Sequence, residues 1–432
     1  MTEFTIPGAP TAHLQLPFFD ATHRALADAL RNWVPLQPVD ERDDRSACKE
    51  WVRRLGEDGW LRYCVPARFG GALDQLDSRA LVILRETLAF HSPLADFAFA
   101  MQGLGSGAIT LAGTPEQQAA YLPAVARGDK IAAFALSEPE AGSDVGAMQT
   151  IAVTSILTRA RGQNSHKQTD TDTDTDTDTD TDTVTLNGCK TWISNGGIAD
   201  FYCVFAKTDP PSGTRGITAF IVDATTPGLD TSEHIQVMAP HPLATLKFEQ
   251  CHIAASAQLG ELGGGFKLAM RTLDIFRASV AGAALGMARR ALAEAVAYAR
   301  QRTMFGQHLA DFQLTQAKLG EMAALIDAAA LLTYRAAWLR DCVGTTTPDQ
   351  AQAYSTAAAM AKMCATENAQ RVIDMALQLH GGMGVKVGTK VESLYRDIRS
   401  LRIYEGATEV QQLIIGKSVL KALAPATREA SP

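Results

Sequence analysis

The sequence predicts an α+β protein with an N-terminal α-helical domain, a middle antiparallel β-barrel or sandwich domain and a C-terminal four-helix bundle. Apolar residues recur at helical spacing in the first part of the chain, as at Leu81, Leu84 and Leu88. Short segments rich in Val, Ile and Phe follow, and helical spacing returns after the glycines at 263–265. We therefore place the domains at 1–130, 131–250 and 251–423, with a flexible tail at 424–432.

The N-terminal domain contains a well-marked helix start. Thr114 suits the cap, Pro115 the first helical position, and Gln117 completes a capping box. This helix is expected to end at Gly128. The motif G-x-G-x-x-A at 103–108 matches a dinucleotide-binding fingerprint, but it lacks the alternating strand and helix context that such a site needs. We expect its small residues to serve close helix packing.

The middle domain is predicted from three apolar segments at 131–136, 201–206 and 217–222. Few helical patterns interrupt them, which favours antiparallel strands. A Thr-Asp repeat without an apolar face lies at about 154–183 and predicts a disordered insertion at a hairpin tip. Calcium binding by its aspartates is disfavoured, because calcium loops combine mixed ligands within a turn.

The C-terminal domain is predicted to form three long helices and a shorter one. Two long helices cover roughly 266–301 and roughly 312–342. A third begins with Thr347 as its cap and ends at Gly381. The shorter helix follows Thr408.

Composition is that of an ordinary globular chain, with 46% hydrophobic and 20% charged residues. The formal charge of −7 comes from the seven aspartates of the Thr-Asp repeat, since −7 + 7 = 0 for the remainder. No charge bias favours nucleic acid or an anionic membrane. No segment approaches the ~20 apolar residues that a membrane span requires.

The seven cysteines form no C-x-x-C pair, which favours free thiols in a reducing compartment. The nine histidines lack metal-ligand spacing, so no metal site is expected. The first residues lack a basic segment followed by an apolar one, so we expect no secretory signal and a cytoplasmic location.

One segment near the C-terminal end of the chain suggests a catalytic residue. Glu405 lies between apolar residues and Gly406, a pattern that suits a chain bend close to a ligand. Desolvation there raises the pKa of a carboxyl group toward neutrality and makes it a useful base. The alternative is a glutamate at a helix start, where it favours the positive end of the helix dipole.

This segment joins four other motifs: 134–144 (FALSEPEAGSD), 187–197 (NGCKTWISNGG), 302–307 (RTMFGQ) and 378–382 (QLHGG). Together they resemble the acyl-CoA dehydrogenase family in order and spacing, and the resemblance extends from about residue 15 to 423. It implies the same three-domain fold, FAD as cofactor and a place in fatty acid metabolism.

The resemblance implies α,β-desaturation of an acyl-CoA thioester. Glu405 would remove the α-proton while the flavin N5 accepts the β-hydrogen as hydride. The Glu405 backbone N–H would stabilise the developing enolate oxygen. Substrate contacts are carried over to Ser143, Asp274, Arg277 and Gly406.

The resemblance also implies the residues that contact the cofactor. In the first two motifs, an ordinary Pro-Gly-Ser turn and a core tryptophan are the structural alternatives. For Arg302, the alternative is a solvated helix-end arginine. The implied contacts of the flavin are Phe134, Leu136, Ser137, Gly142, Ser143, Trp192, Ile193 and Ser194. The residues implied to reach the FAD of a neighbouring subunit are Arg302, Phe305, Gln313, Gln378, Gly381 and Gly382. The residues implied to lie beside the adenylate are Thr408 and Glu409.

A cofactor site shared between subunits implies a homo-oligomer, a tetramer built as a dimer of dimers. The expected electron acceptor is an electron-transferring flavoprotein. An oxygen-using acyl-CoA oxidase and a non-catalytic flavin-binding protein are the alternatives. Where some family members carry the base on the long helix, this chain has Phe276, which cannot accept a proton. Met304 and Ala407 each replace a residue that offers the cofactor a hydrogen bond in the family.

Overall fold

The computed structural model describes residues 6, 8–154 and 183–423. The chain forms an N-terminal helical part, a middle sheet and a C-terminal helical part, which confirms the predicted fold class. The predicted disordered insertion at about 154–183 lies outside the described residues except for its two ends, since Thr154 and Thr183 belong to strands. The predicted flexible tail at 424–432 also lies outside them.

The N-terminal helices follow the expected patterns. Helix α5 (Pro115–Arg127) starts at the predicted capping box. Thr114 Oγ1 accepts a hydrogen bond from the Gln117 N–H at 3.3 Å, and Gln117 Oε1 accepts one from the Thr114 N–H at 3.0 Å. It ends at Gly128, which has a φ of 75°. The helices are α1 Ala21–Trp33, α2 Asp44–Glu57, α3 Ser78–His91, α4 Pro93–Ala112 and α5 Pro115–Arg127.

The motif at 103–108 lies inside α4, as predicted, and serves packing. A Cβ on Gly103 would lie 2.6 Å from the Phe276 ring, and one on Gly105 would lie 2.7 Å from the Ala132 backbone. Glycine therefore allows α4 to approach both the middle sheet and the long C-terminal helix.

The strands of the middle sheet are β1 Ala132–Ala135, β2 Ile151–Thr154, β3 Thr183–Ser194, β4 Phe201–Lys207, β5 Ile217–Asp223, β6 Leu229–Ile235, β7 Leu243–Ala254 and β8 Gln258–Leu259. The sheet is mainly antiparallel, in the order β6-β7-β3-β2-β4-β5-β8. Two pairings differ from the antiparallel expectation, because β1 runs parallel to β4 and Ile151 of β2 pairs in parallel with Lys207. A parallel pair needs a long connection, and the β2–β3 hairpin supplies the one between β1 and β4.

The C-terminal part contains the four predicted helices and one more. The additional helix is α9, Lys390–Leu401. Its buried residues have helical spacing and are Val391, Leu394, Ile398 and Leu401. The glycine-rich segment before it obscured this pattern. The helices are α6 Gly265–Gln301, α7 Gln313–Trp338 (extended by a π-turn, Leu339–Val343), α8 Pro348–His380, α9 Lys390–Leu401 and α10 Thr408–Ala422, with a short hairpin of β9 Thr303–Met304 and β10 Gln307–His308 after α6.

Within the described ranges, one helical segment, Gln313–Val343, has the length and mean hydropathy (1.3) that a membrane span requires, by length and composition alone. It packs against α6 and α8, and 44% of its most apolar window is buried inside the fold. A helix of a soluble bundle has the same properties. All seven cysteines are free thiols. No group of three His, Cys, Asp or Glu side chains in the described part of the chain is placed to hold a metal ion.

Candidate active site

A cavity of about 200 Å³ lies where α4, the middle sheet, α6 and the segment before α10 meet. Its wall combines apolar side chains with a few polar groups, as small-molecule sites do. Eleven of the residues predicted from the sequence line it. They are Phe134, Leu136, Ser137, Gly142, Ser143, Trp192, Ile193, Ser194, Arg277, Glu405 and Gly406.

The segment that follows β1 is anchored from its buried side. Lys190, which is 0% exposed, donates from Nζ to the Leu136 carbonyl at 3.1 Å and to Glu138 Oε1 at 2.6 Å. The Thr191 N–H donates to the Ser137 carbonyl at 3.0 Å. These bonds fix the backbone of Leu136 and Ser137, whose side chains line the cavity.

Glu138 completes this anchor. It accepts hydrogen bonds from the backbone N–H groups of Gln149 at 2.5 Å and Thr150 at 3.1 Å. Burial acts to raise the pKa of its carboxyl group, but the Lys190 charge and these N–H donors hold that pKa below its usual value. The pair was missed from the sequence, because Glu138 and Lys190 are far apart along the chain.

Trp192 forms the outer wall of the cavity. Its φ is 59°, and the pairing of β3 with β7 shifts register between Lys190 and Ile193. Such a bulge redirects a side chain, and the indole is 58% exposed at the cavity. It is therefore not a core tryptophan. The Ser194 hydroxyl lies 3.4 Å from His241 Nε2.

Glu405 lies in the turn between α9 and α10, with a φ of 52°, and is followed by Gly406 at 89°. It is outside the first turn of α10, so the helix-dipole alternative does not describe it. Both carboxylate oxygens are buried and have no hydrogen-bond partner. Burial raises the pKa of Glu405, against the opposing charges of Arg85, Lys362 and Arg277.

Two side chains that the sequence did not suggest hold this turn. The Gly406 carbonyl accepts from Lys362 Nζ at 2.7 Å and from Gln411 Nε2 at 2.8 Å. A Cβ at position 406 would lie 2.5 Å from Gln411 Nε2, so the turn needs glycine for both its conformation and its space.

Arg277 presents a cation to the cavity from α6. Its Nη1 donates to Asp274 at 2.5 Å, and its Nε is buried without a partner. Asp274 does not line the cavity. Phe276 is 2% exposed and packs on α4. Glu405 is thus the one carboxylate on the cavity wall in the described part of the chain.

His241 is the main cavity residue that sequence reasoning missed. Its ring lies 3.8 Å from the ring of Phe97, and burial lowers its pKa to about 3. His241 belongs to no sequence motif. It reaches the cavity because it lies on the loop between β6 and β7. Met270 and Leu273 of the apolar wall were also missed, although they share helical spacing on α6 with the predicted Arg277.

Nine predicted residues lie outside the cavity: Asp274, described above, and eight more. Tyr298 stacks on His380 at 4.3 Å, which brings the C-terminal ends of α6 and α8 together. Thr408 and Arg402 both donate to Glu367 Oε1, at 2.6 and 2.8 Å. Six of the predicted residues are exposed near the C-terminal ends of α6 and α8: Arg302, Phe305, Gln313, Gln378, Gly381 and Gly382. Phe305 is 89% exposed. The remaining two, Thr408 and Glu409, lie at the start of α10.

The geometry suits a planar aromatic ligand beside a reactive acid–base group. Phe134, Leu136 and Trp192 offer apolar surfaces. A Cβ on Gly142 would meet nothing within 4 Å, so the chain leaves open space there. The unpartnered carboxylate of Glu405 faces the same cavity. A cavity of this kind, with a single carboxylate in its wall, fits the flavin-dependent oxidoreductases that the sequence motifs resemble.

Comparison with known proteins agrees with this class. Three family models match: acyl-CoA dehydrogenase, N-terminal domain (residues 20–129), middle domain (133–251) and C-terminal domain (263–420). The 3-(aryl)acrylate reductase of Clostridium sporogenes is 37% identical over 94% of this chain and 100% of its own length. The human mitochondrial short-chain specific acyl-CoA dehydrogenase is 36% identical over 93% of this chain and 90% of its own.

Solved structures give the same result. Butyryl-CoA dehydrogenase from Megasphaera elsdenii has a TM-score of 0.79 and 32% identity, covering 93% of this chain and 99% of its own. An acyl-CoA dehydrogenase from Bacillus anthracis complexed with FAD has a TM-score of 0.81 and 29% identity, covering 93% of this chain and 67% of its own. The chain belongs to the acyl-CoA dehydrogenase family. It is a FAD-dependent oxidoreductase that dehydrogenates acyl-CoA at a CH–CH bond.

Proposed function

We propose that Glu405 is the catalytic base that removes the α-proton of the acyl-CoA thioester. The observation that carries this proposal is the pair of buried, unpartnered carboxylate oxygens facing the cavity. A carboxylate without hydrogen bonds keeps its basicity, and burial raises its pKa toward working pH. Bound FAD supplies a hydride acceptor for the β-hydrogen.

The enolate oxygen that develops during proton removal needs a fixed donor. The Glu405 N–H donates no hydrogen bond within the described residues, so it is free to serve. We assign substrate contacts to Arg277, whose Nε is also unpartnered, and to Ser143 and Gly406 on the cavity wall. The flavin ring contacts are assigned to Phe134, Leu136, Ser137, Gly142, Ser143, Trp192, Ile193 and Ser194.

The test is anaerobic mixing of Glu405→Gln with a panel of acyl-CoAs while flavin absorbance is followed. The variant should retain FAD and bind acyl-CoA, but the rate of flavin bleaching should fall by about 10²- to 10⁴-fold, the usual contribution of a general base. Glu321→Gln is the matched control, since Glu321 forms a surface ion pair with Arg371. Bleaching of Glu405→Gln at the parental rate would contradict the proposal.

We propose an electron-transferring flavoprotein as the electron acceptor. Two relatives support this: a subunit of the caffeyl-CoA reductase–Etf complex of Acetobacterium woodii, and a chain from a structure of the electron transferring flavoprotein of Acidaminococcus fermentans. Reoxidation of the reduced enzyme should be fast with that acceptor and slow with oxygen. Fast reoxidation by oxygen alone would favour the oxidase alternative.

We further propose a homotetramer located in the cytoplasm. The exposed end of the bundle, with Arg302, Phe305 and Gln378, supports a cofactor site completed by a neighbouring subunit. Free thiols suit a reducing compartment. Light scattering on the purified protein tests the tetramer, and Phe305→Asp should lower both its mass and its FAD content. A monomer with full FAD content would contradict the shared site.

A further inference from the structure

The cavity turn is held by a lysine that none of the sequence motifs contains. Lys362 lies on α8 and is 0% exposed. Its Nζ donates to the Gly406 carbonyl at 2.7 Å, which is its one side-chain hydrogen bond among the described residues. A lysine ammonium has three donors, and a buried one is costly unless it is compensated by charge or hydrogen bonds. The site therefore retains this cation for a reason other than packing.

The turn that Lys362 contacts has an uncommon backbone. Glu405 adopts a left-handed conformation although it is not glycine, and Gly406 follows with a φ of 89°. Such a conformation persists when its surroundings hold it in place. Lys362 Nζ and Gln411 Nε2 both bind the Gly406 carbonyl and so hold the peptide between Gly406 and Ala407, one residue after Glu405.

The charged side chains around Glu405 differ in whether they have a carboxylate partner of their own. Glu405 is faced by Arg85 from α3, Arg277 from α6, Lys362 from α8 and Asp96 from α4. Arg85 is paired with Asp96 by two hydrogen bonds of 2.8 and 2.9 Å. Arg85 thus has a carboxylate partner of its own, although its charge acts on Glu405 more strongly than that of Lys362.

Arg277 is paired as well, at 2.5 Å, with Asp274. Lys362 binds only a neutral carbonyl, so its charge is the one left without a carboxylate partner of its own. The charged groups that face Lys362 are Glu405, Arg277, Glu367 and Glu409.

We propose that Lys362 is a positioning residue for the base: it holds the Glu405 turn through the Gly406 carbonyl and supplies the counter-charge for the ionised Glu405 carboxylate. The inference rests on the proposed role of Glu405. Burial lowers the pKa of Lys362 to about 8, so the ammonium form predominates at neutral pH. In that form Lys362 keeps Glu405 ionised at a lower pH than burial alone would allow.

The test is the pH dependence of anaerobic flavin bleaching in Lys362→Met, Lys362→Gln and Lys362→Arg. Proton removal requires ionised Glu405, so the rate rises with pH along an acid limb. Loss of the charge in the Met and Gln variants should move this limb upward by about one pH unit. Lys362→Arg should keep it near the parental position. Lys390→Met is the matched control, because Lys390 is a largely buried lysine on α9 whose Nζ contacts the His91 carbonyl at 3.4 Å and does not face Glu405.

A second readout does not depend on turnover. The unfolding midpoint of the FAD-loaded protein is measured for the parent, Lys362→Met, Glu405→Gln and the double variant. If the two charges compensate each other, the midpoint of the double variant should be higher than the sum of the two single changes predicts. This cycle also keeps the proposal testable if Lys362→Met loads FAD poorly.

The outcomes separate the two proposals. Additive changes of the midpoint in the cycle, or an unchanged acid limb in Lys362→Met and Lys362→Gln, would overturn the role of Lys362 alone. Parental bleaching by Glu405→Gln would remove the base and with it the role of Lys362.

Discussion

Two glutamates near the cavity, Glu138 and Glu405, both have buried carboxylate groups but differ in their hydrogen bonds. Glu138 accepts hydrogen bonds from Lys190 and from two backbone N–H groups. Glu405 accepts none. The pKa of Glu138 is held below its usual value, whereas burial raises the pKa of Glu405. A buried carboxylate that is fully partnered stabilises a scaffold, and one left without partners is available for proton transfer.

The largest effect expected from this contrast concerns stability. Lys190→Met should lower the free energy of unfolding by about 3–5 kcal/mol, because it leaves the Glu138 carboxylate buried without its cation. Denaturant titration of the FAD-loaded protein measures the loss. Lys247→Met is the control, since Lys247 pairs with Glu233 at the surface and should cost at most about 1 kcal/mol. Equal losses in the two variants would mean that the anchor at Glu138 is not a buried ion pair.

A smaller effect of opposite sign is expected at the base. The folded chain keeps the Glu405 proton at pH values where the unfolded chain, with an ordinary pKa of 4.5, has released it. The stability linked to this proton is therefore present below pH 4.5 and is lost as the pH rises through the raised folded pKa. Glu405→Gln should be more stable than the parent at pH 8, and this advantage should disappear near pH 4.

Glu138→Gln provides the reverse case. A lowered folded pKa contributes stability above the unfolded value of 4.5 that is lost as the pH falls through the folded pKa. This variant should be less stable than the parent at pH 8, with a difference that narrows in acid. Thermal melts across pH measure both slopes. If the stability difference from the parent changed with pH in the same direction for both variants, the contrast between Glu138 and Glu405 would be wrong.

The sequence predicted features that depend on local pattern. Thr114 and Thr347 cap their helices through capping boxes, and Gly128 ends α5. Glu405 was identified because a carboxylate before glycine is a local signature, and the family motifs brought Leu136 and Trp192 to the same cavity. Such features follow from residues that are near in the chain.

The features that were missed depend on distant parts of the chain meeting in space. Lys190 and Glu138 pair across 52 positions, and Lys362 reaches Gly406 across 44. His241 reaches the cavity on a loop that has no motif. Helix α9 was overlooked for a different reason, since the glycines before it obscured an otherwise clear spacing. Pairing across the fold, rather than local propensity, sets the charge balance of the site.

The smallest effect is expected at the far end of the middle sheet. Strand β3 begins at Thr183 and carries Trp192 near its other end, roughly 30 Å away at ~3.3 Å per residue. Strands β2 and β3 pair antiparallel there, with Val153 opposite Thr185, so a short turn can join them. Replacing 155–182 with a Gly-Asn-Gly turn should change FAD content and bleaching rate by less than about twofold, because neither glutamate contacts this end. FAD absorbance per chain measures the first quantity. A large loss of FAD would show that the sheet transmits changes at this end to the cavity, and that the contrast between the two glutamates extends beyond their own contacts.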